Sequence, residues 1–559
     1  MRIRRRVGAG VAARPRTERT TTAVLSLRDL AISFPGGVQA LRGVSLEVAP
    51  GEIVGLVGES GAGKTVLGLA ALGLLPPSAE LDGHAFLGDT DMATATVEQR
   101  RVARKRFAGA VFQDPMTSLN PTMTVGRQVA EVTGSMAAAI EALERARVPD
   151  AQRRARQYPH ELSGGLRQRV MIAMAVAGAP ALIVADEPTT ALDVTVQAGI
   201  LRLLSGLRDE TGSSMLFVTH DFAVAASLAD RVAVLYGGRL AEMGPTKELL
   251  QRPDHPYTAG LLAARLSPES FRGRPLPFLP GEPPDPRAHV DACPFAPRCP
   301  LVIPGCEERL PQVTAAPSHA GLVACLRAGE PPPSLLHVHD RFPDRAPAGG
   351  RPPALRLADL TKAFGSRRFR HVAVNALTLA VPAGGAVALV GESGCGKTTT
   401  LRMAVGLERP DRGTVEVGEG GRPQLVFQDA GASLTPWLTV GELLEERLRC
   451  EGVTASDRAG RVREVLALVG LPISVLGLRA RQLSGGQRQR VAIARAIAVP
   501  PALLACDEPI SSLDVSLAAA VLNLLCRLRA ELGMALLFVT HDLAVARFVG
   551  DRVAVMHAG

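Results

Sequence analysis

The chain is 559 residues long and 47% hydrophobic, which is material for several packed cores, about three to four domains by length alone. Its formal charge of +9 is concentrated at one end, with seven arginines and one glutamate in the first 22 residues and only +3 in the rest, and aromatics are 3%. That pattern argues against a nucleic-acid binder, which spreads basic charge over a face and stacks bases on aromatic rings. The longest uncharged apolar run, residues 170–185, is broken at Gly178 and Pro180, so a helix followed by a buried strand explains it better than a membrane span.

Residues 1–22 are Arg-rich without an apolar stretch and read as a disordered basic extension rather than a secretory signal. Residues 23–48 alternate polar and apolar side chains around Phe34 and the Gly36-Gly37 pair, the pattern of an antiparallel hairpin. Then comes Gly58-Glu59-Ser60-Gly61-Ala62-Gly63-Lys64-Thr65, set between an apolar strand and a helix-like run. Its glycines let backbone N–H groups turn onto a triphosphate, Lys64 brings a point charge to the outer phosphates, and the Thr65 hydroxyl can ligate Mg²⁺. Residues 81–106 are polar and charged, and a short strand at 109–112 then delivers Gln113.

A charged helical stretch, 122–158, leads to Leu162-Ser163-Gly164-Gly165 at the head of another helix. Buried strands at 182–185 and 215–219 run into Asp186-Glu187 and His220. Strands alternating with helices, with polar residues at strand C-terminal ends, predict a mostly parallel α/β sheet with its ligands at those ends.

The second half repeats this order. Ser163, Glu187 and His220 recur 321 residues on as Ser484, Glu508 and His541; Gln113 recurs as Gln428 and Lys64 as Lys397. The second phosphate loop is Gly391-Glu392-Ser393-Gly394-Cys395-Gly396-Lys397-Thr398, with Asp507 beside Glu508. The chain has five lysines among 63 basic residues, and two of them fill this one slot, where a compact ammonium serves better than a planar guanidinium. Cys293, Cys299, Cys306 and Cys325 gather in a Pro-rich stretch between the halves, while the other four cysteines are scattered. Without an export signal, a metal site is a better expectation for the cluster than disulfides.

Leu162-Ser163-Gly164-Gly165-Leu166 and Leu483-Ser484-Gly485-Gly486-Gln487 resemble the signature loop of ATP-binding cassette (ABC) ATPases. The order of phosphate loop, Gln loop, signature, Asp-Glu, Ala191-Leu192-Asp193 or Ser512-Leu513-Asp514, and His carries the same resemblance. The resemblance implies two P-loop ABC cassettes, each with a mostly parallel RecA-like core, an antiparallel β subdomain and a helical signature subdomain. The domains are then 1–22, a tail; 23–250, the first cassette; 251–326, a cysteine-bearing region; 327–353, a linker; and 354–559, the second cassette.

Phosphoryl transfer to water needs charge neutralisation and an oriented nucleophile. Asp186 and Asp507, with Thr65 and Thr398, suit Mg²⁺. Glu187 and Glu508 suit the attacking water, and His220, His541, Gln113 and Gln428 suit the γ-phosphate and metal. In ABC ATPases the signature loop of one cassette faces the phosphate loop of the other. Resemblance therefore implies two composite sites, one joining Lys64 to Ser484 and Gly486, the other joining Lys397 to Ser163 and Gly165. Phe34 and Phe364 stand where the family stacks an aromatic on adenine, or are core residues.

The loop from Phe112 to Pro121, the phrase Tyr158 to Gly165, and His255-Pro256-Tyr257-Thr258 followed by the cysteines resemble the oligopeptide/dipeptide/nickel importer class. In that class two ATPase subunits, sometimes fused, sit beneath two membrane permeases fed by an external binding protein, on the cytoplasmic face of the membrane. Peptide, nickel, opine and glutathione importers all fit, peptide first. The cysteine spacings are wide for a zinc ribbon, and resemblance to the C-terminal domain of this class points to a [4Fe–4S] cluster on the four thiolates. The competing reading is a soluble twin-cassette ATPase acting on ribosomes or DNA, but those proteins carry a long charged helical linker or large insertions with close-set cysteine pairs.

Overall fold

The computed structural model describes residues 23–189, 194–266, 270, 273–289, 291–330, 342, 351–365, 371–511 and 513–559. The basic tail, Ala191-Leu192-Asp193, Ser512 and most of the 327–353 linker lie outside the described residues.

Each half pairs a small antiparallel sheet with a larger, mostly parallel one. In the first half Leu25–Phe34 pairs antiparallel with Val38–Val48, the expected hairpin, turning through Gly36 and Gly37 at φ 84° and 78°, a backbone shape that glycine adopts without strain. The polar stretch after the first phosphate loop holds more than its composition indicates. Glu80–Leu87 is a third strand on the other side of Leu25–Phe34, and Val97–Phe107 is a helix started by a Thr96/Gln99 capping box. The strand is hard to read because its first half is half-exposed, so only Ala85 and Leu87 are fully buried.

The larger sheet of the first half runs Ala108–Val111, Leu182–Asp186, Ser214–Val218, Ile53–Val57, Arg231–Tyr236, all parallel. Its central strands are covered on both faces, which is why they read as unbroken apolar runs rather than alternations. Burying each large side chain such as Phe217 or Leu216 contributes about 2 kcal/mol. Arg239–Pro245 then adds antiparallel, followed by Leu322–Val323 and Thr314–Ala315. The cysteine-bearing segment therefore extends the first half's sheet. The second half repeats the plan, with Leu355–Phe364 between His371–Val381 and Arg412–Val417, and a five-stranded parallel sheet in the order Gln424–Val426, Leu503–Asp507, Ala535–Val539, Ala386–Gly391, Arg552–Met556.

The segment between the halves is tied to both. A buried cluster pins it to the first half: His319 Nε2 meets Glu242 Oε1 at 2.9 Å, and the Glu242 carboxylate also accepts the N–H groups of Asp254 (2.6 Å) and His255 (3.3 Å). Gly244 and Gly321 close on the imidazole so tightly that a Cβ at either would lie within 2.6 Å of Nδ1. On the other side, Leu276 exchanges two backbone hydrogen bonds with the Asn523 amide (2.8 and 2.7 Å), and Leu279 N–H donates to Ser516 Oγ at 2.9 Å. Ala264 and Leu276 belong to the apolar core of the second half.

The hydrogen bond that protonated His319 donates to Glu242 holds its proton against burial, raising its pKa above the ordinary 6.5. Unfolded, this imidazole loses its proton near 6.5, so the stabilisation is complete below that pH and is lost as pH rises through the raised folded value. His319→Gln is expected to destabilise the chain by about 3 kcal/mol at pH 6, since it leaves Glu242 buried without its cation. Urea unfolding of parent and variant from pH 6 to pH 9 should show that difference shrinking; a constant difference would mean that His319 acts by packing alone.

Candidate functional site

Both phosphate loops are strand-to-helix turns. Lys64 and Lys397 begin the helices Lys64–Ala71 and Lys397–Ala404, so first-turn N–H groups and the positive end of the helix face the loop. Gly63 and Gly396, just before them, stand at φ 99° and 108°. The two lysines are buried and donate to carbonyls of their own loops: Lys64 Nζ to Gly58 O (2.8 Å) and Glu59 O (3.0 Å), Lys397 Nζ to Gly391 O and Glu392 O (both 2.8 Å). Burial pulls the Lys64 ammonium below its ordinary pKa, opposed by Glu187, Asp514 and Asp186. A triphosphate would add to the counter-charge that these carboxylates supply.

Thr65 Oγ1 lies 3.3 Å from Asp186 Oδ1, and Thr398 Oγ1 lies 3.2 Å from Asp507 Oδ1. Such a hydroxyl and carboxylate pair fits a hard cation that prefers oxygen. Burial raises the pKa of both aspartates, a penalty that a divalent ion would remove. Glu187 and Glu508 follow at φ 45° and 44°, a left-handed backbone uncommon for glutamate and of a kind that clusters at functional sites. The turn aims each carboxylate at a histidine: Glu187 Oε1 is 3.3 Å from His220 Nδ1, and Glu508 Oε2 is 3.2 Å from His541 Nδ1. The Glu508 contact raises the His541 pKa and, against burial, lowers that of Glu508; for His220, Glu187 outweighs burial.

In the first half Gln113 Nε2 also donates to Glu187 Oε2 at 3.1 Å, so Gln, Glu and His meet. In the second, Gln428, Glu508, His541, Lys397, Thr398 and Phe364 line one open cleft of about 350 Å³ with Ser393, Gly394 and Gly396. Its wall comes from the second half alone, so Ser163 and Gly165 are not brought into it. Phe34 packs half-buried against its own core.

Ser163 and Ser484 stand at the N-cap positions of the helices Gly164–Val176 and Gly485–Ile497, and Ser484 Oγ accepts the Gln487 N–H at 3.2 Å whereas the Ser163 side chain makes no capping bond. Gly165 and Gly486 let those helices press on the next one, since a Cβ would come within 2.7 Å of Val196 and 2.6 Å of Leu517. The Glu282 carboxylate accepts a hydrogen bond from Gln487 Nε2 (3.0 Å) and lies 3.7 Å from Arg490. Asp514 is close enough to Lys64 and Glu59 to bias both charges. The four clustered thiols are free and influence one another electrostatically, yet no three sulfurs lie within 4.8 Å of each other.

Sequence reasoning missed Tyr257, Arg298 and Glu282. Tyr257 Oη accepts the Glu59 N–H at 2.9 Å, and Arg298 grips the Glu59 carboxylate. Tyr257 was inside a stretch already singled out; a lone arginine in a Pro-rich segment gives no signal. No helix among the described residues is long and apolar enough to cross a membrane.

The profile of the family described as "ABC transporter" matches residues 41–190 and 374–511, and that described as "Oligopeptide/dipeptide transporter, C-terminal region" matches 241–306. The oligopeptide transport ATP-binding protein OppD of Mycobacterium tuberculosis is 40% identical over 96% of this chain and 94% of its own length. The peptidoglycan transport ATP-binding protein YejF of Agrobacterium fabrum is 38% identical over 97% and 92%, and the glutathione import ATP-binding protein GsiA of Escherichia coli 36% over 96% and 85%. Among solved structures, an RNase-L inhibitor superposes with a TM-score of 0.56 at 22% identity, over 94% of this chain and 87% of its own, a likeness of fold only. With two complete phosphate loops, each facing its own Asp-Glu pair and histidine, this chain is an ATPase that belongs to the ABC transporter family, in the branch that carries the oligopeptide/dipeptide transporter C-terminal region.

Proposed function

We propose that this ATPase is the motor of an importer for a small solute, with di- and oligopeptides the leading class, and that ATP and Mg²⁺ bind at two composite sites formed within the one chain. The observation that carries the reading is that one segment grips both partners of the Lys64 site: Arg298 holds Glu59 of the first phosphate loop, and Glu282 accepts a hydrogen bond from Gln487, next to Gly486 of the second signature loop. It supports a head-to-tail arrangement in which Ser484 and Gly486 complete the Lys64 site, and Ser163 and Gly165 the Lys397 site on closure. Lys64 and Lys397 neutralise the outer phosphates, Thr65 with Asp186 and Thr398 with Asp507 hold Mg²⁺, and Glu187 and Glu508 orient water, with Gln113, Gln428, His220 and His541 around them.

Two membrane permeases and an extracytoplasmic binding protein are the proposed partners, with the chain on the cytoplasmic face of the membrane. Support comes from the relatives' transport roles and from exposed apolar side chains three and nine residues after the two glutamines, Met116 at 43% and Trp437 at 70% exposure. Co-expression with the permeases, reconstitution in vesicles and addition of peptide-loaded binding protein should raise ATP turnover severalfold. Stimulation by ribosomes or DNA, with none from the importer components, would overturn the assignment.

The cysteines are proposed to hold a [4Fe–4S] cluster in a structural role. A tetrahedral zinc with bonds of about 2.3 Å brings its sulfurs to about 3.8 Å from one another, closer than any three of these thiols stand, and the wide spacing of the four cysteines in the sequence also suits a ribbon poorly; a multi-iron group, when bound, would clamp four loop positions together. Cys299→Ser is expected to abolish bound iron and visible-range absorbance while the second phosphate loop still binds ATP. Zinc in the parent protein, by elemental analysis, would refute the cluster.

A further inference from the structure

The two phosphate loops share their pattern but not their surroundings. Glu59, the second residue of the first loop, is buried at 3% exposure, whereas its counterpart Glu392 is exposed. What buries Glu59 is the cysteine-bearing segment. Arg298, on a short turn that ends next to Cys299, makes a bidentate pair with it, Nη1 to Oε2 at 2.6 Å and Nη2 to Oε1 at 2.9 Å, with both side chains 4% exposed. The guanidinium is itself fixed, Nε donating to Pro280 O (2.8 Å) and Nη1 to Tyr236 Oη (3.2 Å). Tyr257 Oη takes the Glu59 backbone N–H, and Tyr236, Tyr257 and Phe295 pack with ring centroids 4.5 to 5.5 Å apart. Side chain and N–H of Glu59 are thus both tied to groups outside the loop, while its carbonyl receives Lys64. Glu392 has no cationic partner among the described residues.

A carboxylate beside a triphosphate cradle opposes binding unless its charge is answered. At Glu392 water can screen it. At Glu59, dry and close to Lys64, burial pushes the carboxyl toward holding its proton and Arg298 opposes that shift; to answer the charge of the ionised form, a planar fork that also fixes the carboxylate's orientation suits the task. The segment that supplies the fork also reaches the second half, through Glu282 on Gln487 and Leu279 on Ser516.

We propose that Arg298 is a positioning residue for nucleotide at the first phosphate loop, and that through it the cysteine-bearing segment sets ATP affinity at the first loop and not at the second. The proposal rests on Gly58 to Thr65 being the triphosphate site, as read above. The cysteine-bearing segment is thereby part of the ATP machinery of one half, and the two repeats differ in how their loops are held rather than in their catalytic residues.

The test uses the full chain in two backgrounds, Lys397→Ala, which leaves the first loop to bind, and Lys64→Ala, which leaves the second. MgATP affinity is read by titration calorimetry and folding by thermal unfolding. Arg298→Ala is expected to raise Kd about tenfold in the Lys397→Ala background and to change it less than about twofold in the other. Arg298→Lys, which keeps the charge without the fork, should fall between and guards against a variant that fails to fold. Adding Glu59→Gln to Arg298→Ala removes the orphaned carboxylate and should return Kd to within about threefold of its starting value. Equal losses in both backgrounds, no loss in either, or no recovery with Glu59→Gln would overturn the proposal. If instead the Lys397→Ala chain binds no ATP while Arg298 is intact, it is the assignment of the first loop that fails.

Discussion

Replacing Glu508 with glutamine is expected to lower ATP turnover by at least about a hundredfold while leaving MgATP bound. The isostere keeps the size and hydrogen-bonding reach of the side chain but cannot carry the negative charge that polarises an attacking water. That charge is secured in the structure: His541 holds the Glu508 carboxyl below its usual range, while its own pKa is raised. The carboxylate proposed to orient water is therefore ionised across neutral pH, and only a rise through the His541 value strips the neighbouring proton. Glu187, bonded to both His220 and Gln113, is arranged alike, so Glu187→Gln should behave the same way. Steady-state turnover of each single variant and of the double variant separates two cases. Near-complete loss in each single variant means the sites fire as a coupled pair. Full turnover in one of them would show that half to be non-catalytic and would sink the symmetric reading.

Much of this site is legible in the sequence because its chemistry is local. Phosphate loops, signature turns and Asp-Glu pairs are short strings whose spacing encodes a strand-turn-helix, and the repeat at 321 residues doubles the signal. The buried parallel strands are legible for a related reason, since covering both faces leaves apolar runs with no alternation. What escapes is whatever depends on distant packing. The strand Glu80–Leu87 is masked by its exposed half, and the hairpin that extends the main sheet is only two residues per strand, Thr314–Ala315 and Leu322–Val323. Arg298 meets Glu59 across 239 positions, and no local pattern marks a pair that exists only once the segment folds back on the first sheet.

Gly396→Ala should abolish tight ATP binding at the second loop, raising Kd more than about thirtyfold in the Lys64→Ala background, although it touches no charge. At φ 108° an alanine is strained by about 1–3 kcal/mol, and that is the smaller part. Its Cβ would sit 2.2 Å from Ala373 O, on the neighbouring strand His371–Val381, and 2.7 Å from Met556 Cε. A methionine end can swing aside, but the carbonyl is main chain fixed between the paired residues Val372 and Val374, so the loop must lift off the strand and carry Lys397 and the first-turn N–H groups with it. Gly406, just past the same helix, is the control: it too has positive φ, 77°, yet a Cβ there meets nothing within 4 Å. Gly406→Ala should cost about 1 kcal/mol of stability and leave ATP affinity within about twofold. If both alanines bind ATP like the parent, Lys397 alone sets affinity. If only Gly396→Ala fails, the cradle works by its shape, held by how closely glycine lets it approach the sheet.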